Sequence, residues 1–223
     1  MSIEHLLGKV HNIDCLEFMR GLPDKCVDLV LTDPPYGIGI SSNPVRQMHE
    51  KSNWDDNPPA REVFDQIFRI SHKQIIWGGN YFGLPPSQCF YIWDKVQPED
   101  FSLAMCEMAW TNKKAPAKIF RYSVLTERDK KHPTQKPEAL MRWCLDKALG
   151  TGNREQGTGN REQGTGNREQ GTGIIFDPFM GSGTTAVACE RRGFQWFGCE
   201  LEPKYVAISN KRIEAERAQL KLF

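Results

Sequence analysis

The tetrapeptide Asp33-Pro34-Pro35-Tyr36 constrains the fold most strongly, because it follows an apolar run at residues 26–32. That run is typical of a buried parallel strand. Two consecutive prolines exclude a helix and remove two backbone donors, so the strand must end in a rigid turn. The turn carries a carboxylate, a free carbonyl and an aromatic ring at the carboxyl end of a strand, where ligands bind in open α/β sheets. A plain strand-ending turn with a packed tyrosine would have the same sequence.

A second stretch, at residues 173–188, has the composition of a strand, a glycine-rich turn and a helix start. Gly181 and Gly183 would let the backbone approach a ligand closely, and the helix N-terminus would supply free N–H groups. The strand predicted at 194–200 ends in Glu200, where dinucleotide-binding folds place a ribose-binding carboxylate. No lysine follows Gly183, which excludes a phosphate-binding loop of the Walker type.

Alternating strand and helix patterns predict an α/β fold with a single, doubly wound, mostly parallel sheet. The predicted strands are at 8–14, 26–32, 74–78, 89–93, 104–111, 174–177 and 194–200. The predicted helices are at 15–19, 61–70, 138–149 and 203–223, with a further helix beginning at 184. No strand follows the last helix in this sequence, so the strand at 8–14 is expected beside the strand that ends at Glu200. The order of elements is therefore circularly permuted, with the glycine-rich half last.

Composition limits the class of protein. The 223 residues have the composition of a soluble globular protein with one core. Seven cysteines are scattered without a metal-binding spacing, which favours buried, reduced thiols, a cytoplasmic location and no metal. No apolar run approaches the roughly 20 residues that span a bilayer, and the N-terminus has no signal-peptide pattern. We therefore expect no association with a membrane.

The charge distribution is uneven. A net charge of +1 argues against a generally basic nucleic-acid coat, yet basic residues are concentrated between 112 and 136. Such a stripe on a neutral protein is typical of a surface that binds phosphate, although a solvated surface without a partner would look the same. The candidate contacts are Lys113, Lys114, Lys118, Arg121, Arg128, Lys130 and Lys131.

Two segments are predicted to be loops. Residues 37–59 form a long polar segment beside the proline turn, and we interpret this segment as a lid. Residues 150–173 contain three tandem copies of Gly-Thr-Gly-Asn-Arg-Glu-Gln, with no apolar side chain to bury. We interpret this repeat as a flexible loop that joins the helix at 138–149 to the next strand.

Together these blocks resemble the β-class DNA amino-methyltransferases, and most closely the small phage and prophage adenine-N6 enzymes. The resemblance rests on four blocks in family order, at residues 33–36, 132–137 (His-Pro-Thr-Gln-Lys-Pro), 177–184 and 198–205. It covers nearly the whole chain apart from 150–173. It implies the Rossmann-like fold of S-adenosylmethionine-dependent methyltransferases in one domain, residues 1–223, with a small basic target-recognition insertion at 94–131.

The family pattern implies that the cofactor S-adenosylmethionine binds at the glycine-rich turn. The residues implied around its methionine part are Asp177, Phe179, Gly181, Ser182, Gly183 and Thr184. Glu200 would bind the ribose hydroxyls, and Asp14 would recognise the adenine of the cofactor. The residues implied to close over the cofactor from the other side are Thr134, Gln135 and Lys136.

Roles other than cofactor binding also fit four of these residues. Asp14 would equally suit a cap of the helix that follows it, and Thr184 would suit an N-cap. Glu200 would suit a strand-end carboxylate, and Lys136 would suit a contact to DNA.

The resemblance assigns catalysis to Asp33, Pro34, Pro35 and Tyr36. An exocyclic amino nitrogen is a poor nucleophile, because its lone pair is delocalised into the ring. The Asp33 carboxylate and the Pro34 carbonyl can accept both amino hydrogens and direct the lone pair toward the methyl donor, and positioning supplies much of the remaining rate. Duplex DNA hides that nitrogen, so the base must be flipped out, and Tyr36 would be its stacking surface.

Adenine-N6 is favoured over cytosine-N4, because family members that act on cytosine-N4 more often carry serine in place of Asp33. Two less favoured functions stay open: a protein amide-N methyltransferase, whose turn begins with asparagine, and an inactive nucleic-acid-binding relative. DNA is the expected partner, with the basic stripe as its contact surface. Three aromatic residues of the recognition region would be base contacts or plain core: Trp110, Phe120 and Tyr122. The sequence leaves open whether the protein forms a homodimer or has a restriction partner.

Deletion of one repeat copy, residues 157–163, is expected to preserve folding and to change methyl transfer by no more than a few-fold. The reason is that loop closure costs only about 0.6 kcal/mol per doubling of loop length. Thermal unfolding and methyl-transfer assays of the deleted and undeleted proteins would check this expectation. A deleted protein that failed to fold would contradict the interpretation of this segment as a loop.

Overall fold

The protein is described here from a computed structural model, which covers residues 2–37, 58–98, 104–123, 135–150 and 173–221. The strands are β1 (Val10–Asn12), β2 (Val27–Thr32), β3 (Ser71–Trp77), β4 (Cys89–Asp94), β5 (Cys106–Thr111), β6 (Lys118–Arg121), β7 (Ile174–Asp177) and β8 (Gln195–Glu200). The α-helices are α1 (Cys15–Arg20), α2 (Arg61–Ile70), α3 (Glu138–Leu149), α4 (Thr184–Arg192) and α5 (Pro203–Leu220). Short 3-10 turns are found at Glu4–Leu6 and Gly79–Tyr81.

The described strands form one sheet in the order β1-β8-β7-β2-β3-β5-β4-β6. Strand β5 is antiparallel to both of its neighbours, and every other pair in the sheet is parallel. The predicted mostly parallel α/β sheet is therefore confirmed. Strand β1 pairs with β8, with Val10 opposite Gly198, so the predicted permuted placement of the first strand is also correct.

Strands β2 and β7 lie where the order in which the chain adds strands to the sheet reverses. Leu29 of β2 lies opposite Ile175 of β7, and Val30 lies opposite Phe176. From β2 the chain continues to β3 on one side, whereas from β7 it continues to β8 on the other. In open α/β sheets, a ligand crevice forms at the carboxyl ends of two such strands. The turns after β2 and β7 therefore open at the same edge.

Helices cover both faces of the sheet. Helices α1 and α2 pack together on one face, and α3, α4 and α5 pack successively on the other. Helix α2 buries Val63, Phe64, Ile67 and Ile70, a spacing that puts these side chains on one stripe of the helix. Strand β2 is buried along almost its whole length, as expected for a strand covered on both faces.

The described strands of the predicted target-recognition region, 94–131, belong to the common sheet. Strand β5 lies between β3 and β4, and β6 lies beside β4. Trp110 is buried, and its indole N–H donates to the carbonyl of Pro85 at 2.6 Å. Phe120 and Tyr122 pack against the core on the other face. The core interpretation therefore holds for Trp110.

Apart from their end residues, the predicted lid at 37–59 and the repeat at 150–173 lie outside the described residues.

Five of the seven cysteines are buried, as predicted. None of the described helices combines the length and apolar character needed to cross a membrane.

Substitution Gly198→Ala is expected to destabilise the fold by about 1–3 kcal/mol, the usual cost of overpacking. A Cβ atom at this position of β8 would collide with the Met180 side chain and lie 2.6 Å from the Asp177 carbonyl oxygen. Gly21→Ala is the matched control, because Gly21 has an ordinary φ of −82° and its nearest new contact would be 3.5 Å away. Urea unfolding of both variants would check the difference. Equal losses of stability would contradict this account of Gly198.

Candidate active site

A cavity of about 510 Å³ opens at the carboxyl edge of the sheet, beside the ends of β2 and β7. This volume is typical of a small-molecule site. The predicted site residues that line it are Asp14, Asp33, Pro35, Gln135, Lys136, Asp177, Phe179, Gly181, Ser182, Thr184 and Glu200. Two turns separated by more than a hundred residues in sequence therefore meet at one cavity. Pro34, Tyr36 and Gly183 belong to the same turns but do not line it, and Thr134 lies outside the described residues.

The lining of the cavity is strongly acidic. Its carboxylates are Asp14, Asp33, Asp177, Glu200 and Glu202. Among the described residues that line it, Lys136 alone is basic, and its ammonium group is already paired with Asp33. Such a lining attracts cationic groups and repels polyphosphates.

The glycine-rich turn depends on left-handed backbone conformations. Gly181 has a φ of +54° and Gly183 a φ of +83°. Gly183 is the N-cap of α4 and packs so closely on α5 that a Cβ atom there would lie 2.8 Å from the Cβ of Ser209. Thr184 is the first residue of α4, so its interpretation as an N-cap is wrong. Its hydroxyl instead accepts a hydrogen bond of 3.3 Å from Arg212.

Asp177 connects the ends of β7 and β2. Its Oδ1 accepts hydrogen bonds from the Thr32 hydroxyl at 2.8 Å and from the Phe179 N–H at 3.0 Å. The residue is 3% exposed, and burial raises the pKa of its carboxyl to about 6. Asp177 therefore stabilises the turn on which the cavity is built.

Glu200 and Asp14 each have a structural role beside the cavity. Glu200 accepts the N–H of Gly181 at 2.7 Å on one oxygen and the N–H of Glu202 at 2.9 Å on the other. Burial raises the pKa of Glu200. Asp14 accepts two N–H groups of α1, which confirms the capping interpretation. A carboxylate has about four acceptor positions, so these bonds leave both residues able to bind a ligand.

The carboxylate of Asp33 is surrounded by donors. Tyr36 donates its hydroxyl hydrogen to Oδ1 at 2.8 Å. The Lys136 Nζ donates to both carboxylate oxygens, at 2.8 and 2.7 Å, and lies 3.0 Å from the Tyr36 hydroxyl. Burial raises the pKa of Asp33, and Lys136 opposes that rise. The sequence predicts that Lys136 closes over a cofactor or contacts DNA, whereas its ammonium group is bound to the candidate catalytic carboxylate.

Glu107 is a site residue that the sequence analysis missed. It lies on β5, with Oε2 at 2.9 Å from the Lys136 Nζ and Oε1 at 2.6 Å from the Lys95 Nζ. Burial raises the pKa of Glu107, but the two lysines outweigh burial and lower that pKa to about 2. The signal in the sequence was a carboxylate in an otherwise apolar strand, Cys106–Thr111, because charges are seldom buried unless paired.

The ring of Tyr36 is in close contact with the segment that follows β3. Tyr81 stacks on it with a centroid distance of 5.2 Å and an interplanar angle of 22°. Gly78, with a φ of +67°, approaches the ring so closely that a Cβ atom there would collide with it. Tyr81 is 48% exposed. It is therefore the outer aromatic face of this stack.

The sequence model described as DNA methylase, for the N6/N4 methyltransferases, matches residues 47–211. The chain belongs to this DNA methylase family. It is 27% identical over 163 residues to the type II methyltransferase M2.DpnII of Streptococcus pneumoniae, covering 73% of this chain and half of that protein. It is 22% identical over 255 residues to the type II methyltransferase M.HinfI of Haemophilus influenzae, covering 95% of this chain and 70% of the relative.

Solved methyltransferases confirm the predicted fold of this chain. The M1.HpyAVI–SAM complex matches it with a TM-score of 0.54 and 21% identity, covering 92% of this chain and 98% of the other. The cytosine-N4-specific PvuII DNA methyltransferase matches with a TM-score of 0.55 and 16% identity, covering 92% and 89%. Likeness at this level of identity establishes the architecture alone.

The predicted DNA contacts of this chain are divided between two edges of the sheet. Because β5 runs antiparallel, Lys113 and Lys114, which follow it, lie at the edge opposite Asp33, and Lys113 donates to the carbonyl of Lys147 at the end of α3. Their role as DNA contacts stays a prediction, at an edge of the sheet away from Asp33. Lys118 begins β6, and Arg121 ends it at the same edge as Asp33, paired with Asp94. The remaining contacts, Arg128, Lys130 and Lys131, lie outside the described residues.

Substitution Asp177→Asn is expected to stabilise the protein at pH 7 by as much as about 3 kcal/mol. The folded-state pKa of about 6 exceeds the ordinary value of 3.8. The contribution of Asp177 to stability is therefore complete below pH 4 and is lost as the pH rises through 6. Asparagine still accepts the bonds from Thr32 and Phe179 but does not titrate.

Urea unfolding of wild type and Asp177→Asn between pH 4 and pH 7 would measure this effect. The exposed Asp65→Asn variant is the control, since its side chain is 55% exposed and paired only at the surface with Arg61. An Asp177→Asn protein less stable than wild type at pH 7 would contradict the assignment.

Proposed function

We propose that this DNA methylase transfers a methyl group from S-adenosylmethionine to the N6 amino group of adenine in DNA. The observation that carries the proposal is the position of Asp33 between the cavity and Tyr36. Its carboxylate lines the acidic cavity beside the glycine-rich turn, and it also accepts a hydrogen bond from Tyr36, which lies outside that cavity. A carboxylate in this position can contact a target base on the side of Tyr36 while the methyl donor occupies the cavity.

The cavity suits the proposed cofactor chemically. S-adenosylmethionine carries a cationic sulfonium and an ammonium group, which an acidic lining attracts. When bound, it supplies an electrophilic methyl group on that sulfonium. The residues proposed to hold its methionine part are Asp177, Phe179, Gly181, Ser182, Gly183 and Thr184, with Thr134, Gln135 and Lys136 on the other side. Glu200 would accept the ribose hydroxyls, and Asp14 would accept from the adenine.

The proline turn would act on the target amino group. The Asp33 carboxylate and the Pro34 carbonyl accept the two amino hydrogens, which directs the nitrogen lone pair toward the methyl group. Once the new N–C bond has formed and the methyl–sulfur bond of the donor has broken, the nitrogen would carry one proton too many. Asp33 is placed to accept it, because burial raises the pKa of its carboxyl. Pro35, which lines the cavity, fixes the turn between the two ligands.

The target base must leave the duplex to reach Asp33. Tyr36 orients that carboxylate through its hydroxyl, and the Tyr36–Tyr81 stack offers an aromatic surface at the same edge of the sheet. We propose that the flipped base is bound against this stack. Residues 94–131 remain the proposed target-recognition region of a single domain, with Lys118 and Arg121 as DNA contacts on its described strands.

Asp33 supports adenine over cytosine, because family members that act on cytosine-N4 more often have serine at this position. Cytosine-N4 transfer is the second candidate, since its chemistry is the same and the cytosine-N4-specific PvuII enzyme has the same fold. The experiment is transfer of labelled methyl from S-adenosylmethionine to duplex DNA, single-stranded DNA and protein, followed by mass spectrometry of the nucleosides. N6-methyladenine is expected. N4-methylcytosine alone would replace the first candidate by the second, and labelled protein without labelled DNA would reject both.

Substitution Asp33→Ala is expected to lower methyl transfer by about 10²–10³-fold, the usual cost of removing one preorganised polar group at a reacting atom. Cofactor binding should persist, because the glycine-rich turn is unchanged. Calorimetry with S-adenosylmethionine and single-turnover transfer would measure the two properties separately, with the surface variant Asp65→Ala as control. Unchanged turnover in Asp33→Ala would reject the catalytic assignment.

A further inference from the structure

We propose that Lys136 and Glu107 form a positioning pair. In the free enzyme the ammonium group of Lys136 binds Asp33, and when the target amino group arrives this ammonium group moves away from Asp33 and stays paired with Glu107. The inference rests on the proposed function and deepens it. It adds Glu107, a residue of β5, to the machinery of the transfer and gives Lys136 a role toward the base rather than toward the cofactor.

The contacts of Lys136 create a competition for the same acceptors. Its Nζ donates to both oxygens of Asp33, at 2.8 and 2.7 Å, and its side chain is only 4% exposed. The target amino group must donate to one of those oxygens before transfer can occur. The ammonium group therefore occupies, in the free enzyme, the place that the substrate nitrogen needs.

Glu107 gives the displaced ammonium group another anion. Its Oε2 lies 2.9 Å from the same Nζ, so Lys136 can release an Asp33 oxygen without losing its counter-ion. A buried ammonium group left without a partner would be strongly destabilising. Lys95 binds the other oxygen of Glu107 at 2.6 Å and fixes that carboxylate on the rigid strand β5.

The charges in this cluster balance. Two carboxylates, Asp33 and Glu107, face two ammonium groups, Lys95 and Lys136, and the Tyr36 hydroxyl lies between the carboxylates. From β7, the buried Asp177 also acts on Asp33 through its charge. Removal of either lysine therefore leaves excess negative charge beside Asp33, whereas removal of Glu107 leaves excess positive charge.

The test compares four proteins: wild type, Glu107→Gln, Lys136→Met and the double variant. For each, kcat and KM for DNA are measured from pH 5 to 9, with calorimetric affinity for S-adenosylmethionine. Glu107→Gln should lower kcat/KM for DNA about ten-fold or more, because Lys136 then has only Asp33 as its anion, and should move the acid limb of kcat to lower pH. Lys136→Met should move that limb to higher pH, because Asp33 loses its counter-ion while Glu107 remains.

The double variant gives the decisive comparison. In the Lys136→Met background, Glu107→Gln removes the carboxylate that disfavours ionised Asp33, so it should restore activity and return the acid limb toward its wild-type position. The same substitution is therefore harmful in one background and beneficial in the other. Additive losses in the double variant, or acid limbs that do not move in the single variants, would overturn the proposal and leave the cluster as structural support only.

Controls separate this role from folding and from the proposed function. Glu62→Gln, at the exposed ion pair with Arg20, should leave every kinetic constant unchanged. Lys95→Met, which touches Glu107 but not Asp33, should also move the acid limb to higher pH and replaces Lys136→Met if that protein does not fold. If the wild type transfers methyl to DNA but the variants have the same pH profile as the wild type, the positioning pair is rejected and the proposed function is not. A wild type without transfer to DNA rejects the proposed function as well.

Discussion

The site exists because β2 and β7 pair side by side and in parallel. Residues 27–32 and 174–177 are distant in sequence, yet Leu29 and Val30 lie opposite Ile175 and Phe176. Parallel pairing brings both carboxyl ends to one edge, and the hydrogen bond of 2.8 Å from Thr32 to Asp177 fixes the two ends relative to each other. Each turn alone is a short motif of ordinary residues. Their chemistry arises from this single alignment.

That alignment concentrates negative charge, and the protein compensates for it in two different ways. On the cavity side, Glu200 and Asp177 accept hydrogen bonds from backbone N–H groups of the glycine-rich turn and its surroundings, and burial raises the pKa of both. On the side of Tyr36, lysines neutralise Asp33 and Glu107. Hydrogen-bonded carboxylates beside open space can still accept a cationic ligand. Burial also raises the pKa of Asp33, but the paired Lys136 opposes that rise and so favours the ionised form that can accept amino hydrogens.

Local sequence patterns were sufficient to predict most of the fold. The bounds predicted for α2 and α3 agree with the structure, because helix periodicity, proline and glycine are local signals. The pairing of β1 with β8 was also predictable, since a doubly wound sheet needed a strand at that place. The predicted residues of the cavity follow from short motifs that each lie next to one strand or helix.

Strand direction was what the sequence did not reveal. An apolar segment such as Cys106–Thr111 reads the same whether it runs parallel or antiparallel. The antiparallel insertion of β5 between β3 and β4 carried Lys113 to the far edge and brought Glu107 beside Lys136. The direction of this one strand thus puts a predicted DNA contact at the edge away from Asp33 and brings an unpredicted carboxylate to Lys136. A local propensity scale has no information about either event.

Gln135 and Lys136 show how the two turns communicate. Gln135 accepts a hydrogen bond of 3.2 Å from Ser182 in the glycine-rich turn, while its neighbour Lys136 binds Asp33 in the proline turn. Adjacent residues just before α3 therefore contact both halves of the site. A shift of the short segment before α3 would therefore change the contacts of Ser182 and of Asp33 together.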